Sequence, residues 1–410
     1  MIQSRSPAFW RATIALCLGS VMVFSNLYIT QPLLPVISDA FALTPLQAGM
    51  TLSVTTLTLG ISLLLFGPLS DAVGRRVIML STLTLLAITT LAAAFVTDFH
   101  QLLLLRALQG VFIAGLPVAA LAYMGEEFEP KALLLAVGLY IGANSVGGIS
   151  GRVISGLTAH HWGWQASFLS LAIFDLICLL LVVWLLPASS RFQSRPLRPG
   201  LMLRDLTGHL CNPMILAACI IGGLNFFVFV NQYSYVTFVL ADAPYHLSSD
   251  WLGLLFLTYL TGTLAAGFSG RLVSGRSQPM AMALGVAIIM AGTLLTLIPH
   301  LAAIVLGLFV NALGFFFAHT QAAGWVTRYA LRARASATSL YLAFYYAGAT
   351  LGGFYLSLFW DWAGWSGVVV GSLLVLSITL GTSLWLGRSE RRSAGRIVEP
   401  VVEEGVEEAA

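Results

Sequence analysis

GPLSDAVGRR, residues 67–76, is a short charged stretch between two long apolar segments, 47–68 and 77–96. Each flanking segment holds about the 20 mostly apolar residues that a helix needs to cross a bilayer. The same alternation continues along all 410 residues, which are 58% hydrophobic and 9% charged, with a mean hydropathy of +0.89. Soluble domains carry about 25% charged residues. The sequence therefore predicts an integral membrane protein, most of whose surface faces lipid.

Breaks marked by charge, proline or glycine divide the chain into twelve apolar segments. Their approximate ranges are 11–37, 47–68, 77–96, 101–124, 132–158, 164–187, 212–240, 250–270, 278–298, 301–326, 336–360 and 364–387. The segments are continuously apolar rather than alternating, which favours helices over an outer-membrane β-barrel. We therefore predict an all-α membrane protein with twelve transmembrane helices.

The connections between these segments differ in charge. The even-numbered connections and both termini hold the Lys and Arg residues, whereas the odd-numbered connections hold none. The positive-inside rule then predicts that both termini are cytoplasmic. Two arginines, Arg106 and Arg152, fall inside predicted spans. A charge at such a depth indicates a functional role by default.

The twelve segments form two halves. Segments five and eleven match at a shift of 201 residues, which superposes Tyr140 on Tyr341 and Gly147 on Gly348. The predicted units are a first six-helix half at 1–187, a cytoplasmic linker at 188–211, a second six-helix half at 212–387 and a disordered cytoplasmic tail at 388–410. Repeated halves are typical of transporters that bind their substrate near the midplane, between the halves.

The opening stretch has the pattern G-x-L-x-D-x-x-G-R-R, which resembles the signature of the major facilitator superfamily at the same inter-helix loop. We predict that it forms a cytoplasmic gating motif together with acidic residues at the end of the fourth span. Its members are Gly67, Asp71, Gly74, Arg75, Arg76, Glu126 and Glu127. The two glycines would allow a tight turn, and the arginines would pair with the carboxylates. The alternative is an ordinary charged loop.

LLLLRALQGVFIAG, residues 102–115, resembles the superfamily's fourth-helix pattern, in which an arginine is implicated in proton coupling. Arg106 needs buried acceptors. Pro32 cannot donate to the carbonyl of Tyr28, and Gln31 and Gln109 offer side-chain oxygens. The alternative to proton coupling is a structural clamp between spans one and four.

VGGISGRVISG, residues 146–156, resembles the fifth-helix glycine motif of drug:proton antiporters. It lacks the Lys-Ser/Thr and the preceding strand of a nucleotide loop. Its glycines predict close helix packing. Arg152 replaces the proline of that motif and Ser155 a glycine. We expect Arg106 and Arg152 to lie on the outer side of the first half. They would repel unless an anion, a carboxylate or a carbonyl cage lies between them.

Aromatic and amide side chains inside the spans suggest a pocket for a moderately apolar ligand. The residues predicted to line it are Asn26, Asn144, Phe226, Asn231, Gln232, Tyr345, Tyr346 and Gln321. The alternative for each aromatic ring is helix packing. His319 and Asp175 are the candidate proton carriers, and the first span holds no carboxylate before Asp39.

The resemblance covers essentially the whole chain and is to the drug-efflux side of the superfamily. It implies alternating access and proton-coupled export of a small organic compound across the bacterial inner membrane. An importer or uniporter of a small metabolite, such as a sugar or an organic anion, and a membrane sensor without transport are the alternatives. No catalytic motif or metal-ligand cluster is evident, so we expect neither an enzyme nor a metal or cofactor site. The expected partners are the bilayer and a small-molecule substrate rather than nucleic acid, and we expect a monomer.

Overall fold

The computed structural model describes the backbone of residues 1–4, 6–194, 199–264 and 277–398, with side chains except at 199, 201 and 393–398. Its helices are α1 Pro7–Tyr28, α2 Leu34–Phe41, α3 Pro45–Val73, α4 Arg75–Ala93, α5 Phe99–Ile113, α6 Gly115–Glu127, α7 Pro130–Trp162, α8 Trp164–Leu185, α9 Pro199–Leu210, α10 Pro213–Ala241, α11 Ser249–Leu254, α12 Gln278–Leu295, α13 Leu301–Tyr329 and α14 Arg334–Val398. Short 3-10 turns follow α1, at Gln31–Leu33, and α11, at Leu255–Thr258.

Ten stretches of the described chain are long and apolar enough to cross a membrane. The last, α14, contains two helices, because the backbone leaves the helical region at Ala363 and Gly364. The predicted eighth span, 250–270, begins with α11, and its residues 265–270 lie outside the described part. The described helices thus match eleven of the twelve predicted spans and the start of the eighth.

Proline interrupts the first span. α1 ends at Tyr28, the 3-10 turn Gln31–Leu33 follows, and α2 then continues the span to Phe41. Pro32 and Pro35 have no backbone N–H to donate. Because α1 ends at Tyr28, the main-chain oxygens of its last turn have no helical N–H partner and are available to other groups.

The gating motif differs from the expected loop. α3 continues through Gly67 to Val73, so the turn into α4 consists of Gly74 alone, with φ +119°. Only glycine adopts this backbone conformation without strain. Asp71 accordingly lies in the last turn of α3, on the same helix as Gly67. The glycine turn was predicted correctly at Gly74 and wrongly at Gly67.

Glycines set the helix contacts in both halves. In the first half, a Cβ added to Gly151 of α7 would lie 2.5 Å from the Cα of Ser25 on α1. In the second half, a Cβ on Gly352 of α14 would lie 2.4 Å from the main-chain oxygen of Phe227 on α10. The fifth and eleventh spans therefore pack on the first and seventh in the same way, as the predicted repeat requires.

The linker and tail contain helix. α9, Pro199–Leu210, lies within the predicted linker. α14 continues to Val398, so the tail predicted to be disordered from 388 begins as helix, and residues 399–410 lie outside the described part. The carboxylate of Glu390 accepts a hydrogen bond from Ser277 Oγ at 2.8 Å, which fixes this extension to the start of α12.

The two halves meet on one side of the molecule and separate on the other. A cavity of about 800 Å³ opens between them on the side that carries α9, which we call the linker side. On the opposite, far side the backbones touch: a Cβ on Gly156 of α7 would lie 2.3 Å from the main-chain oxygen of Ser249 on α11. This is the arrangement of a two-half transporter that is closed on its far side.

Candidate functional site

Arg106 is fully buried on α5 and is held by backbone oxygens. Nη1 and Nη2 donate to the carbonyls of Asn26 and Leu27, both at 3.0 Å, and Nε donates to the carbonyl of Thr51 at 3.1 Å. Nη1 also lies 2.6 Å from Oε1 of Gln109. The guanidinium thus joins α1, α3 and α5, as the clamp interpretation requires.

The acceptors of Arg106 lie elsewhere than expected. The sequence suggested the carbonyl of Tyr28 and the side chain of Gln31. The guanidinium instead binds the carbonyls of Asn26 and Leu27, because the break after Tyr28 already frees the last turn of α1. The prediction for Gln109 is confirmed by its hydrogen bond, whereas Gln31 binds Arg152.

A hydrogen-bonded chain connects Arg106 to Asp175, which is fully buried on α8. Both carboxyl oxygens of Asp175 accept from Asn26 Nδ2 at 2.9 Å. Oδ1 of Asn26 accepts from Thr90 Oγ1 at 2.5 Å, and Thr90 Oγ1 accepts from Gln109 Nε2 at 3.1 Å. Since Gln109 also binds Arg106, these five residues form one polar cluster across four helices, the Asp175–Arg106 network.

The second half builds a similar cluster without charge. Nε2 of Gln232 donates to Thr293 Oγ1 at 3.0 Å, and Nδ2 of Asn311 donates to Gln232 Oε1 at 2.6 Å. Gln232, Thr293 and Asn311 are all neutral side chains. A charged cluster is therefore not a requirement of this helix packing.

Arg152 lies on α7 where the two halves meet, with an exposed fraction of 1%. Its guanidinium carbon is 3.9 Å from the ring centre of Tyr28, 4.5 Å from that of Phe256 and 4.7 Å from that of Tyr259. Tyr28 belongs to the first half, and the other two rings belong to the second. Aromatic faces attract a cation, so these three rings form an aromatic cage that spans both halves.

The polar contacts of Arg152 are few. Nε donates to Gln31 Oε1 at 2.8 Å, and Nη1 donates to the main-chain oxygen of Gly148 at 2.6 Å. Gln31 in turn donates to the second half, to the carbonyl of Val230 at 3.0 Å and to Ser234 Oγ at 3.2 Å. Gln31 therefore bridges Arg152 and α10.

Arg106 and Arg152 do not share an acceptor. The sequence suggested an anion, a carboxylate or a carbonyl cage between them. The carbonyl cage surrounds Arg106 alone, and the aromatic cage surrounds Arg152 alone. The break after α1 explains the separation, since it presents carbonyls to Arg106 and the side chain of Gln31 to Arg152.

Aromatic side chains of the second half gather around His319. The rings of Phe226 and Tyr345 are stacked at 3.7 Å. His319 is stacked on Phe315 at 5.7 Å, and its Nδ1 lies 2.8 Å from Oη of Tyr341. The structure thus brings together three of the predicted pocket residues, Phe226, Tyr345 and Tyr346, and one predicted proton carrier.

The other predicted pocket residues have separate environments. Asn144 binds Ser20 of α1, and Asn231 donates to main-chain oxygens of α10 and α14. Tyr346, besides its ring contacts with Phe226 and Tyr345, packs on Gly60 across the boundary between the halves. Gln321 is buried on α13, outside the clusters above. Asn26 and Gln232 belong to the polar clusters of their halves.

The gating motif forms a compact ion cluster on the linker side. Arg75 is paired with Asp71, and its Nη2 lies 2.8 Å from Oε1 of Glu126. Arg75 Nη1 also donates to Ser70 Oγ at 3.1 Å. The predicted pairing of Arg75 with carboxylates of this motif is confirmed at both Asp71 and Glu126.

Arg76 and Glu127 hold the start of the linker instead of pairing with each other. Arg76 Nε donates to the main-chain oxygen of Leu186, at the end of α8, at 3.3 Å. Glu127 accepts from Ser190 Oγ at 2.6 Å and from the backbone N–H of Arg191 at 2.8 Å. The second arginine and the second glutamate of the motif therefore fix the chain between the two halves.

The comparison with known families agrees with this architecture. The Major Facilitator Superfamily pattern matches residues 16–353. The chain belongs to the major facilitator superfamily.

Two relatives of this superfamily align over nearly the whole chain. The MFS-type transporter YybF of Bacillus subtilis (strain 168) is 37% identical over 388 residues, 95% of this chain and 96% of the relative. The inner membrane transport protein YnfM of Escherichia coli (strain K12) is 36% identical over 388 residues, 93% of this chain and 92% of the relative. The chain is therefore a multi-pass membrane transporter rather than an enzyme.

A solved structure supports the same fold. A bacterial homologue of the human lysosomal transporter Spinster, in an inward-facing and unoccupied conformation, superposes with a TM-score of 0.73. The two sequences are 16% identical, and the match covers 95% of this chain and 98% of that chain. At this identity the likeness concerns the superfamily fold alone.

Several residues of the site were missed from the sequence. Thr90 stands in a pair of threonines within an apolar segment, which was a usable signal for a polar contact. Tyr28, Phe256 and Tyr259 gave no such signal, because aromatic residues are common throughout membrane helices. Their contact with Arg152 depends on how the two halves meet.

Proposed function

We propose that this transporter couples the export of a small organic compound to proton entry across the bacterial inner membrane, with both termini in the cytoplasm. The positive-inside pattern and the resemblance of the glycine motif to that of drug:proton antiporters support this orientation and direction. With this orientation, the linker side is cytoplasmic. The present conformation would then receive its substrate from the cytoplasm through the cavity between the halves.

The Asp175–Arg106 network carries the proton-coupling part of the proposal. The carboxyl of Asp175 is fully buried, and both of its oxygens accept from the amide of Asn26. An isolated carboxylate is costly in such a place. Protonation removes this cost, so Asp175 is suited to take up and release a proton.

The network gives the proton a route to affect the helix packing. Protonation of Asp175 turns one of its two acceptor oxygens into a donor, so the amide of Asn26, which binds both oxygens, must rearrange. Asn26 lies in the last turn of α1 and offers its main-chain oxygen to Arg106. The same chain segment leads to Gln31, which binds the second half. The proton thereby biases one of the two alternating-access states.

The neutral cluster of the second half supports a functional role for the charged one. Gln232, Thr293 and Asn311 make equivalent helix contacts without an ionisable group. If the first half needed only a polar clamp, the same neutral set would suffice there. The charge pair is costly to bury, which favours a role beyond packing.

Substrate-driven proton flux in inverted membrane vesicles tests the proposal. The vesicles are energised and a dye reports the pH gradient, while a panel of dyes, antibiotics and metabolites is added. Proton-coupled export predicts that a transported compound dissipates the gradient. Asp175→Asn should abolish this response, whereas the exposed control Arg332→Gln should retain it.

Two outcomes contradict the proposal. Uptake that equilibrates independently of the gradient would exclude coupling. A full response from Asp175→Asn, at equal amounts of protein in the membrane, would exclude Asp175 as the proton carrier. Accumulation with the opposite sign of gradient would instead indicate an importer.

A further inference from the structure

Arg152 is a buried cation without an acidic partner. Within the described residues, no carboxylate oxygen lies within 4.0 Å of its guanidinium. An arginine carries five N–H donors, and Arg152 makes two hydrogen bonds, through Nε and Nη1. Arg106, at similar depth, makes four. Arg152 therefore retains donor capacity, at Nη2 in particular.

A second unpaired donor lies beside it. Oη of Tyr259 is buried and has no hydrogen-bond partner among the residues that the structure describes, although its ring contacts the Arg152 guanidinium. A buried hydroxyl without a partner is costly. The adjacent Tyr233 differs, since its Oη binds Thr258 and the carbonyl of Leu308. A cation with spare donor capacity and a hydroxyl donor beside it are complementary to an anion.

Whether an anion can reach these two donors depends on the conformation of the transporter, because the aromatic cage contains residues of both halves. Arg152 and Tyr28 belong to the first half, and Phe256 and Tyr259 belong to the second. When the halves begin to separate on the far side, a space opens between the guanidinium and the ring of Tyr259. The planar fork of Arg152 and the hydroxyl of Tyr259 then face the same space, which suits a carboxylate or a sulfonate. While this side is closed, the rings of Phe256 and Tyr259 fill that space.

A series of buried aromatic rings, packed on one another, continues from the cage into the second half. Tyr259 lies 5.0 Å from the ring of Phe229, which is stacked on Phe315 at 3.8 Å. Phe315 leads to His319. A flat apolar body could follow this series of rings while its charged end remains at Arg152.

We propose that Arg152 and Tyr259 recognise the acidic group of an aromatic monoanion, a carboxylate or a sulfonate, as the substrate of this transporter. The proposal rests on the proposed transport function and adds the substrate class to it. It does not depend on proton coupling, because recognition of the anion involves neither Asp175 nor Arg106.

Binding to purified protein in lipid nanodiscs, without a pH gradient, tests the substrate class. The probes are 1-naphthoate, indole-3-acetate and naphthalene-1-sulfonate, each compared with its neutral amide. We expect at least one acid to bind about tenfold or more tightly than its amide, since a charge-assisted hydrogen bond contributes that much. Arg152→Gln should remove this preference, and Tyr259→Phe should reduce it about threefold or more.

Three further variants and one control distinguish a loss of anion recognition from other defects. Arg152→Lys retains the charge and should retain part of the acid preference. Its behaviour therefore distinguishes loss of the charge in Arg152→Gln from a folding defect caused by any substitution at this position. Phe256→Leu weakens the cage and should leave the preference in place. Asp175→Asn should also leave it in place, which separates a failure of anion recognition from a failure of the proposed proton coupling. Arg332→Gln is the matched exposed control.

Two results would overturn the proposal. One is equal affinity for acid and amide in the wild-type protein across all three pairs. The other is an unchanged acid preference in Arg152→Gln. If the preference is absent and Phe256→Leu and Arg152→Gln both shift the protein towards far-side opening, Arg152 is a structural latch between the halves.

Discussion

Replacement of Arg106 by glutamine tests the energetic role of the Asp175–Arg106 network. The substitution leaves the main-chain oxygens of Asn26, Leu27 and Thr51 without their buried donor. A polar contact between membrane helices contributes about 0.6 kcal/mol on average, and a buried polar group left without its partner costs about 1–3 kcal/mol. The loss of three contacts at the average value sets the lower limit, and unsatisfied buried oxygens raise the cost, so we expect the free energy of unfolding to fall by about 2–5 kcal/mol.

A second substitution identifies the partner of Arg106. Asp175→Asn preserves the side-chain shape and keeps one oxygen for the Asn26 amide, so alone it should cost less than about 1 kcal/mol. In the Arg106→Gln protein the carboxyl of Asp175 remains, but the cation at the other end of its hydrogen-bonded network is gone. Asp175→Asn should there restore about 1 kcal/mol or more of the lost stability.

Reversible unfolding in mixed micelles by SDS titration, followed by far-ultraviolet circular dichroism, measures these changes. The control is Arg332→Gln, an exposed arginine for which we expect a change within about 0.5 kcal/mol. A cost below about 1 kcal/mol for Arg106→Gln would refute the reasoning. So would a double variant, Arg106→Gln with Asp175→Asn, whose cost equals the sum of the single costs within about 0.5 kcal/mol.

Two further predictions use the same titration. Gly151→Ala places a Cβ 2.5 Å from the Cα of Ser25 and should cost about 1–3 kcal/mol, whereas Gly142→Ala meets nothing within 4 Å and should be neutral or stabilise by up to about 1 kcal/mol. Equal effects of the two substitutions would contradict the packing explanation. Asp71→Asn should cost less than about 1 kcal/mol, because its carboxylate is 41% exposed where it pairs with Arg75. A loss above about 2 kcal/mol would show that this ion pair is more than a surface contact.

The predicted fold and the observed fold agree where composition alone is decisive. Twelve apolar segments, their order and the repeat of two halves follow from hydropathy and from the match of Gly147 with Gly348. Bilayer thickness imposes a length on each span, so these features need no tertiary contact. The turn at Gly74 was equally evident, whereas Gly67 was misplaced because Pro68 is tolerated within α3.

The partners of the buried polar groups were less predictable. Gln109 was a correct partner for Arg106, because three residues on one helix bring their side chains together. The acceptors on α1 were placed at Tyr28 rather than at Asn26 and Leu27. The exact end of a helix before a proline depends on local packing and shifts by a residue or two.

The order of residues was enough to predict the twelve spans, the two halves and the two intramembrane arginines, because hydropathy and helix periodicity act along the chain. That Arg106 shares a network with Asp175, and that Arg152 contacts Phe256 and Tyr259, became evident only from the fold. The partners of both arginines lie on other helices, and Phe256 and Tyr259 lie in the other half from Arg152. The distances between these helices depend on the glycines that let the backbones approach closely. The two arginines look equivalent in the sequence, and their surroundings make one a member of a polar network and the other an unpaired cation.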